Sequence, residues 1–267
     1  MRFAVILPSA GASSRYTAAG GLRPKLDEDL GGKPLLQRTV EIFTKFEPRE
    51  GAIVAMIVAG PGKPDEFAEF RQRHGDRLGL MGATLVPGGI THRWETVKAA
   101  LAVVPEECTH IAVHDAARPC VSMELLDRVF YAAATYAAVI PAVEVPDTVK
   151  RMKDTGEAMG GDDPVAAILG AAPKTPLRVV TETLDRAGLV LVQTPQVFRK
   201  DLLQRAYAQD NLWSTDDAGL VERLGERVVV IDGEAGNIKV TVPADLSLAR
   251  RILGLREPEG RPVHKRF

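Results

Sequence analysis

Two cations close to a loop of small residues are the first sign of chemistry in this chain. The loop is Ser9–Ser14, and it is followed by Arg15 and then by Lys25. Backbone N–H groups in such a loop can approach an anion closely, and the positive end of a following helix adds to the attraction. Arginine and lysine at this place suggest that the anion is a polyphosphate under chemical attack. The alternative is an ordinary strand-turn-helix with basic residues on its surface, because the spacing matches neither of the common phosphate-loop motifs.

Further polar residues follow other apolar runs of the chain. Ligands bind beyond the carboxyl ends of the strands in a doubly wound sheet, so we expect polar residues at these positions to share one site with the first loop. The residues concerned are Gly89 with Arg93 and Thr96, Asp115 with Ala116 and Arg118, Gln193–Gln196, and Gly236–Lys239.

Asp115 is the candidate metal ligand. A carboxylate at a strand end beside phosphate-binding loops suits Mg²⁺, which binds carboxylate and phosphate oxygens. The alternatives are a helix N-cap for Asp115 and, for Arg118, a local salt bridge to Asp115 that contributes little. Ser214–Asp217 is interpreted as a helix cap with acidic first-turn residues rather than as a second metal site. His114 is interpreted as a hydrogen-bonded histidine near the core rather than as a base.

The elements that must position these residues follow from apolar runs separated by helical patterns. Runs typical of buried parallel strands are Phe3–Leu7, Ile53–Ala59, Ile111–His114, Ala138–Val143, Leu189–Val192 and Val228–Ile231. Amphipathic patterns predict helices over Pro34–Phe46, Arg93–Val104, Met123–Tyr136, Asp201–Tyr207, Thr215–Leu224 and Pro243–Leu253. This alternation predicts an α/β fold, doubly wound, with a mostly parallel sheet covered on both faces.

Residues 144–188 interrupt this alternation. Val145–Met152 and Leu177–Leu184 each alternate with a period of two residues, which predicts paired strands that leave the main sheet. Such a β-arm cannot bury both of its faces alone, so we expect a partner subunit to cover it; the alternative is a disordered insertion. We therefore predict a single domain over residues 1–255, with an arm insertion at about 144–188 and a tail at 256–267.

Length and composition narrow the classes of function. The chain has 267 residues, 45% hydrophobic and 26% charged, which fits one large or two small globular domains. A formal net charge of −1 and an aromatic content of 5% give no sign of a nucleic-acid partner. No segment approaches the ~18 apolar residues of a membrane helix. Cys108 and Cys120 fit small core residues better than nucleophiles. We expect a cytoplasmic protein without a membrane partner.

A series of longer motifs runs along residues 3–253: PSAGASSRY, GGKPLLQRTV, PGG followed by RWETV, VHDAARPCV, VPDTVKR, LDRAGLVLVQTPQVF, STDDAGLVE and GNIKVTVPADL. In this order they resemble the 2-C-methyl-D-erythritol 4-phosphate cytidylyltransferase family. The resemblance implies a Rossmann-like nucleotidyltransferase fold with a protruding β-arm. It implies an enzyme of the non-mevalonate isoprenoid pathway that transfers CMP from CTP to methylerythritol phosphate and releases pyrophosphate. It also implies Mg²⁺ as cofactor and a homodimer formed through the arm.

The resemblance further implies roles for individual residues. Arg15 and Lys25 would stabilise the transition state at the α-phosphate of CTP, and Asp115 would hold the metal. The expected nucleotide-binding residues are Ser9, Ala10, Gly11, Gly89, Thr96 and Ala116. The expected residues for the sugar-phosphate acceptor are Asp115, Arg118, Thr148, Arg186 and Lys239. Thr148 and Arg186 belong to the arm motifs and would act across the dimer.

The sequence departs from the family pattern in two segments near the arm and the first loop. Ser13 stands where the family usually has a second glycine, and the stretch before Lys25 is longer, with Gly20-Gly21 added. The arm is lengthened around Gly160–Pro176. We expect these changes to affect the mobility of the loop that carries Lys25 and the geometry of the dimer. None of them removes a cation or carboxylate of the expected site.

Two other functions stay open at this point. One is a cytidylyltransferase for another polyol phosphate such as ribitol 5-phosphate, and the other is a non-catalytic nucleotide-binding module. The motifs HDAARP and DTVKR, together with Leu184–Arg186, favour methylerythritol phosphate. A non-catalytic module should have lost Lys25 or Asp115, and both are present.

Overall fold

The structure, a computed structural model, describes residues 1–11, 13–159 and 175–256. The chain divides into two units: one comprises Met1–Val143 and the chain from Val192 onward, and the other comprises Glu144–Leu191. Residues 257–267 of the expected tail, and residues 160–174 of the predicted arm insertion, lie outside the described residues. Within the described ranges, none of the helices has the length and apolar character needed to cross a membrane.

A mostly parallel sheet forms the centre of the first unit. In chain order the strands are β1 Arg2–Pro8, β2 Ala52–Gly60, β3 Ala83–Pro87, β4 His110–Val113, β5 Ala138–Glu144, β6 Lys150–Met159, β7 Thr175–Thr183, β8 Val190–Val192, β9 Gln196–Arg199 and β10 Val229–Asp232. The order across the main sheet is β10-β5-β9-β4-β1-β2-β3. β1 pairs parallel with β2 and β4, whereas β9 runs antiparallel to β4 and β5.

Helices cover both faces of this sheet. They are α1 Ser14–Ala18, α2 Leu35–Lys45, α3 Pro64–Leu80, α4 Arg93–Leu101, α5 Met123–Ala132, α6 Lys200–Tyr207, α7 Ala218–Glu222 and α8 Ala244–Ile252, with a short 3₁₀ turn at Lys25–Asp27. Successive side chains of β1 enter opposite cores: Phe3 and Val5 pack with α2 and α5, whereas Ala4 and Ile6 pack with α4 and α6. Burial on both faces explains the unbroken apolar run of β1 and confirms the doubly wound fold.

The sequence patterns do not predict α3 and β9. α3 buries only Phe70, His74 and Leu78 along one face, and most of its other positions are exposed and polar, so its amphipathic signal is weak. β9 has only four residues, and it is antiparallel where the alternation of strands and helices predicts parallel neighbours. The predicted helix over Met123–Tyr136 is also too long, since α5 ends at Ala132.

The second unit contains the predicted pair of strands with shifted bounds. β6 and β7 are antiparallel, with Met152 opposite Val180. Both of these apolar side chains are more than half exposed, at 58% and 59%. The prediction of a strand from Val145 is wrong, because β6 begins only at Lys150, and Thr148 lies in the exposed segment before it.

Both cysteines lie in the core as free thiols, as predicted. Burial raises the pKa of Cys108 and raises the pKa of Cys120 to about 11. Because the thiolate is the reactive form, we expect neither thiol of the native chain to react readily with Ellman's reagent at pH 8. Both should react after unfolding in urea, and reactivity in the native state should rise with pH. Rapid labelling of two thiols in the native chain would contradict this prediction.

Candidate active site

A cleft of about 360 Å³ lies in the first unit, where β1, β3 and β4 end. Most of the residues predicted from the sequence line it: Ser9, Ala10, Gly11, Arg15, Lys25, Gly89, Thr96, Asp115, Ala116 and Lys239. Arg118 is not part of the lining but contacts Asp115. Thr148 and Arg186 lie in the second unit, where the Arg186 guanidinium donates to the backbone oxygen of Pro146.

The loop after β1 lines the cleft with small residues. Ser9 is buried; its N–H donates to Ala59 O at 2.7 Å and its hydroxyl to Leu7 O at 3.1 Å. A Cβ atom placed on Gly11 would meet nothing within 4 Å, so the cleft is open beside this residue. Ser13 has a φ of 54°, in the left-handed region that favours glycine. This backbone shape accounts for the glycine that the family pattern leads one to expect there.

The carboxylate of Asp115 is surrounded by three cations. Lys239 Nζ lies 2.8 Å from Oδ2, Arg118 Nε lies 3.5 Å from Oδ2, and Arg93 Nε lies 3.6 Å from Oδ1. Burial alone would raise the pKa of Asp115, but Lys239, Arg93 and Arg118 together hold it well below its usual range. Asp115 is therefore ionised at all physiological pH values.

Backbone and amide contacts hold Lys239 beside Asp115. Asn237 is fully buried, and its amide nitrogen donates to Thr194 O at 2.9 Å. The guanidinium of Arg118 donates to Asn237 O at 2.7 Å. Val240 N donates to Ala117 O at 2.8 Å, which joins the segment that carries Lys239 to the loop after β4.

The structure decides between the alternative roles of the loop after β4. Asp115 does not cap a helix; Ser122 caps α5, since its hydroxyl accepts from Leu125 N at 2.9 Å. The local salt bridge between Arg118 and Asp115 is present. His114 is fully buried, with Nε2 3.0 Å from Arg118 O, and burial lowers its pKa to about 4. The prediction of a near-core histidine is confirmed, and the ring is neutral at physiological pH.

Arg93 connects Asp115 to a second buried carboxylate. Arg93 Nη2 lies 2.8 Å from Oδ2 of Asp217, which is fully buried. The Tyr207 hydroxyl donates to the other oxygen of Asp217 at 2.5 Å. Burial alone would lower the pKa of Arg93, but Asp217 and Asp115 raise it overall. This chain of contacts ties the start of α4 to α6 and to the residue before α7.

The interpretation of Ser214–Asp217 as a helix cap is confirmed for one of its residues, Asp216. Asp216 Oδ1 accepts from Gly219 N at 3.0 Å, in the first turn of α7. Asp217 instead pairs with Arg93, and the described residues contain no cluster of three acidic, histidine or cysteine side chains suited to a metal. The sequence places Arg93 among the polar residues that follow a strand, and Asp217 in the Ser214–Asp217 motif, but it predicts no binding or catalytic role for either. Arg93 lines the cleft, and Asp217 supports it from behind through their ion pair.

The loop after β3 forms the wall of the cleft opposite the first loop. Gly89 N donates to the hydroxyl oxygen of Thr96 at 3.0 Å. Glu95 Oε2 accepts from the N–H groups of Ile90, Thr91 and His92 at 3.0, 2.9 and 3.2 Å. A Cβ atom on Gly89 would lie 2.3 Å from Cβ of Glu95, so this position requires glycine. These contacts fix the shape of the wall.

Lys25 and Arg15 supply positive charge that is not neutralised locally. Within the described part of the chain, neither side chain has a carboxylate at ion-pair distance. Burial lowers the pKa of Lys25, and the charges of Lys239 and Arg15 lower it further, while Asp115 opposes them. An anion bound between these cations would relieve their mutual repulsion. The cleft is therefore suited to a polyanionic ligand.

Replacement of Asp217 should destabilise the fold. Asp217→Asn leaves Arg93 without its closest carboxylate, and breaking a buried pair costs about 3 kcal/mol. Urea unfolding followed by tryptophan fluorescence measures the free energy of unfolding. As a control, Glu226→Gln breaks the exposed Arg205–Glu226 pair and should change that free energy by less than about 1 kcal/mol. Equal effects of the two substitutions would contradict the prediction.

Comparisons of the sequence and of the structure with known proteins identify the family of this chain. The family model for 2-C-methyl-D-erythritol 4-phosphate cytidylyltransferase (IspD) matches residues 3–165 and 163–255. Relatives with that name from Frankia casuarinae and Bacteroides fragilis are 38% and 34% identical, over 96% and 91% of this chain and 83% and 96% of their own. The crystal structure of the Thermus thermophilus enzyme of the same name has a TM-score of 0.66 at 30% identity, covering 96% of this chain and 100% of the other. The chain belongs to the 2-C-methyl-D-erythritol 4-phosphate cytidylyltransferase family.

Proposed function

We propose that this enzyme transfers CMP from CTP to 2-C-methyl-D-erythritol 4-phosphate and releases pyrophosphate. The observation that carries the proposal is the convergence of the Ser9–Gly11 loop with Lys25, Asp115 and Lys239 on one cleft. This arrangement offers backbone groups for a triphosphate and cations for the charge that develops during transfer.

The electrostatics of the cleft match the difficulty of this reaction. A phosphate oxygen of the acceptor attacks the α-phosphorus of CTP while pyrophosphate leaves in line. That oxygen is already an anion, so no strong base is needed, and the buried neutral His114 is not required as one. The main barrier is the approach of two anions. Arg15 and Lys25 lower it if they are placed where negative charge develops in the transition state.

The walls of the cleft supply the contacts for CTP. The proposed nucleotide-binding residues are Ser9, Ala10, Gly11, Gly89, Thr96 and Ala116, all of which line the cleft. Because the Thr96 oxygen accepts from Gly89 N, its hydroxyl hydrogen is available to donate to an acceptor on the cytosine ring. Gly11 leaves the room that a phosphate needs to approach the backbone.

Magnesium is proposed as the cofactor, with Asp115 as its protein ligand. Mg²⁺ is commonly held by one or two carboxylates together with substrate phosphates and water, and the single ionised carboxylate in this part of the cleft fits that pattern. Since Asp115 is the carboxylate that lines the cleft, the triphosphate and water would supply the remaining ligands. When bound, the ion would neutralise charge on the phosphates and orient them.

The acceptor is proposed to bind near Asp115, Arg118 and Lys239, with Thr148 and Arg186 contributed by the partner of a homodimer. The exposed apolar pair Met152 and Val180 on β6 and β7 supports an interface on the second unit. We also propose that the enzyme works in the cytoplasm without nucleic-acid or membrane partners.

A pyrophosphate-release assay tests the acceptor. The purified chain is supplied with CTP, Mg²⁺ and either 2-C-methyl-D-erythritol 4-phosphate or ribitol 5-phosphate. We expect turnover with the first and little with the second. Preference for ribitol 5-phosphate would assign the enzyme to another acceptor. CTP binding without turnover of either would indicate a non-catalytic nucleotide-binding protein.

Lys25→Ala should lower kcat by about 10²–10³-fold with a much smaller effect on the KM for CTP, because the amine acts on transition-state charge. Steady-state kinetics measure both constants. Arg23→Ala is the matched control, since Arg23 is an exposed cation of the same segment outside the cleft lining, and it should keep the parental kcat. An effect of Lys25→Ala on KM alone would refute the role.

A further inference from the structure

The side chains of the three residues before Lys25 are exposed. Gly20 has a φ of 91°, and the side chain of Leu22 is 96% exposed. Arg23 is also exposed. Leu22 and Arg23 therefore contribute little to the position of Lys25, in contrast to the residues that follow it.

The residues after Lys25 form a short ordered turn. Asp27 N donates to Pro24 O at 2.9 Å, and Glu28 N donates to Lys25 O at 3.3 Å. Leu26 packs against two of the buried apolar clusters of the first unit. Lys25 opens this turn, so movement of the turn would move the Lys25 amine.

Asp27 anchors the turn to α3 through both of its carboxylate oxygens. His74 Nε2 lies 2.7 Å from Oδ1, and Arg73 Nε lies 3.0 Å from Oδ2. The His74 side chain is only 4% exposed and the Asp27 side chain 17%. A buried hydrogen bond to a charged group is stronger and more directional than an exposed one. We call Asp27, Arg73 and His74 the Asp27 clamp.

The helix that carries the clamp is itself fixed. The His74 ring packs against Phe70, with the ring centroids 4.9 Å apart. Phe70 and Leu78 are buried in the core beneath the sheet. α3 therefore gives Asp27 a rigid support.

We propose that the Asp27 clamp positions Lys25 for the transfer of CMP. Asp27, Arg73 and His74 do not line the cleft, so they act through the turn rather than on substrate. The positioning role rests on the proposed function, because it is defined by the contribution of Lys25 to turnover. Misplacement of a catalytic group by about 1 Å can cost on the order of 10²-fold in rate.

Substitutions at His74 separate the hydrogen bond from the volume that the ring fills. His74→Leu keeps an apolar side chain beside Phe70 but removes the donor to Asp27. His74→Gln restores a nitrogen donor near the position of Nε2. Glu69→Gln is the control, because it breaks the exposed Arg73–Glu69 pair on the same helix and leaves Asp27 untouched. Each variant is measured for kcat, for the KM for CTP and for hydrogen exchange of the peptide that covers residues 25–30.

His74→Leu should lower kcat by roughly 10- to 100-fold with the KM for CTP within about threefold of the parental value. Exchange in residues 25–30 should become faster while the core strands keep their protection. His74→Gln should recover most of kcat and slow the exchange again, and Glu69→Gln should match the parent. A parental kcat in His74→Leu would overturn the proposal. Faster exchange throughout the chain, with kcat lost only in proportion to unfolded protein, would overturn it too.

The two proposals fail in different ways. An unsubstituted chain that turns over no acceptor overturns the proposed function and, with it, the positioning role. Hydrogen exchange of the turn in His74→Leu then still decides whether the clamp holds residues 25–30. A chain that is active before substitution and equally active in His74→Leu overturns the positioning role alone.

Discussion

The cleft depends on one balance of charge, that between the ionised Asp115 carboxylate and the cations around it. A lone carboxylate at this depth would be protonated or would unfold the loop, because desolvation disfavours its charge. Lys239, Arg118 and Arg93 prevent that, and each comes from a different segment. The carboxylate in turn allows three cations to lie close together, next to Lys25. Asp115 and its three cations therefore tie together the loop after β4, the segment at Lys239 and the start of α4.

This arrangement prepares the cleft for an anion before one binds. Burial lowers the pKa of Lys25, and the charges of Lys239 and Arg15 lower it further, so a bound polyphosphate would offset the repulsion among these cations. Ser9 at the start of the first loop is also held in advance, since its N–H and its hydroxyl donate to Ala59 O and Leu7 O. Preorganised groups of this kind stabilise developing charge without rearranging during the reaction.

Local patterns in the sequence predict much of the fold and the lining of the cleft. The run Phe3–Leu7 identifies β1, and polar residues that follow β1, β3 and β4 do line one cleft. Contacts between distant residues were not predictable, because no local pattern reports them. Arg93 pairs with Asp217 and Asp27 with His74 only after the sheet has formed. The helix that carries His74 was not predicted either, because most of its residues are polar and only one of its faces packs against the core. The roles of the individual site residues stay predictions.

The order of strands has a consequence for how this chain can change over evolutionary time. β5 and β9 are neighbours in the main sheet, with Val139 opposite Val197, and the chain between them leaves the first unit after Val143 and returns at Val192. The pairing of β5 with β9 in the sheet therefore fixes both ends of this segment. The entropy of closing a loop grows only with the logarithm of its length, at about 0.6 kcal/mol per doubling. Insertions or deletions in this segment can therefore accumulate during evolution with little effect on the stability of the cleft.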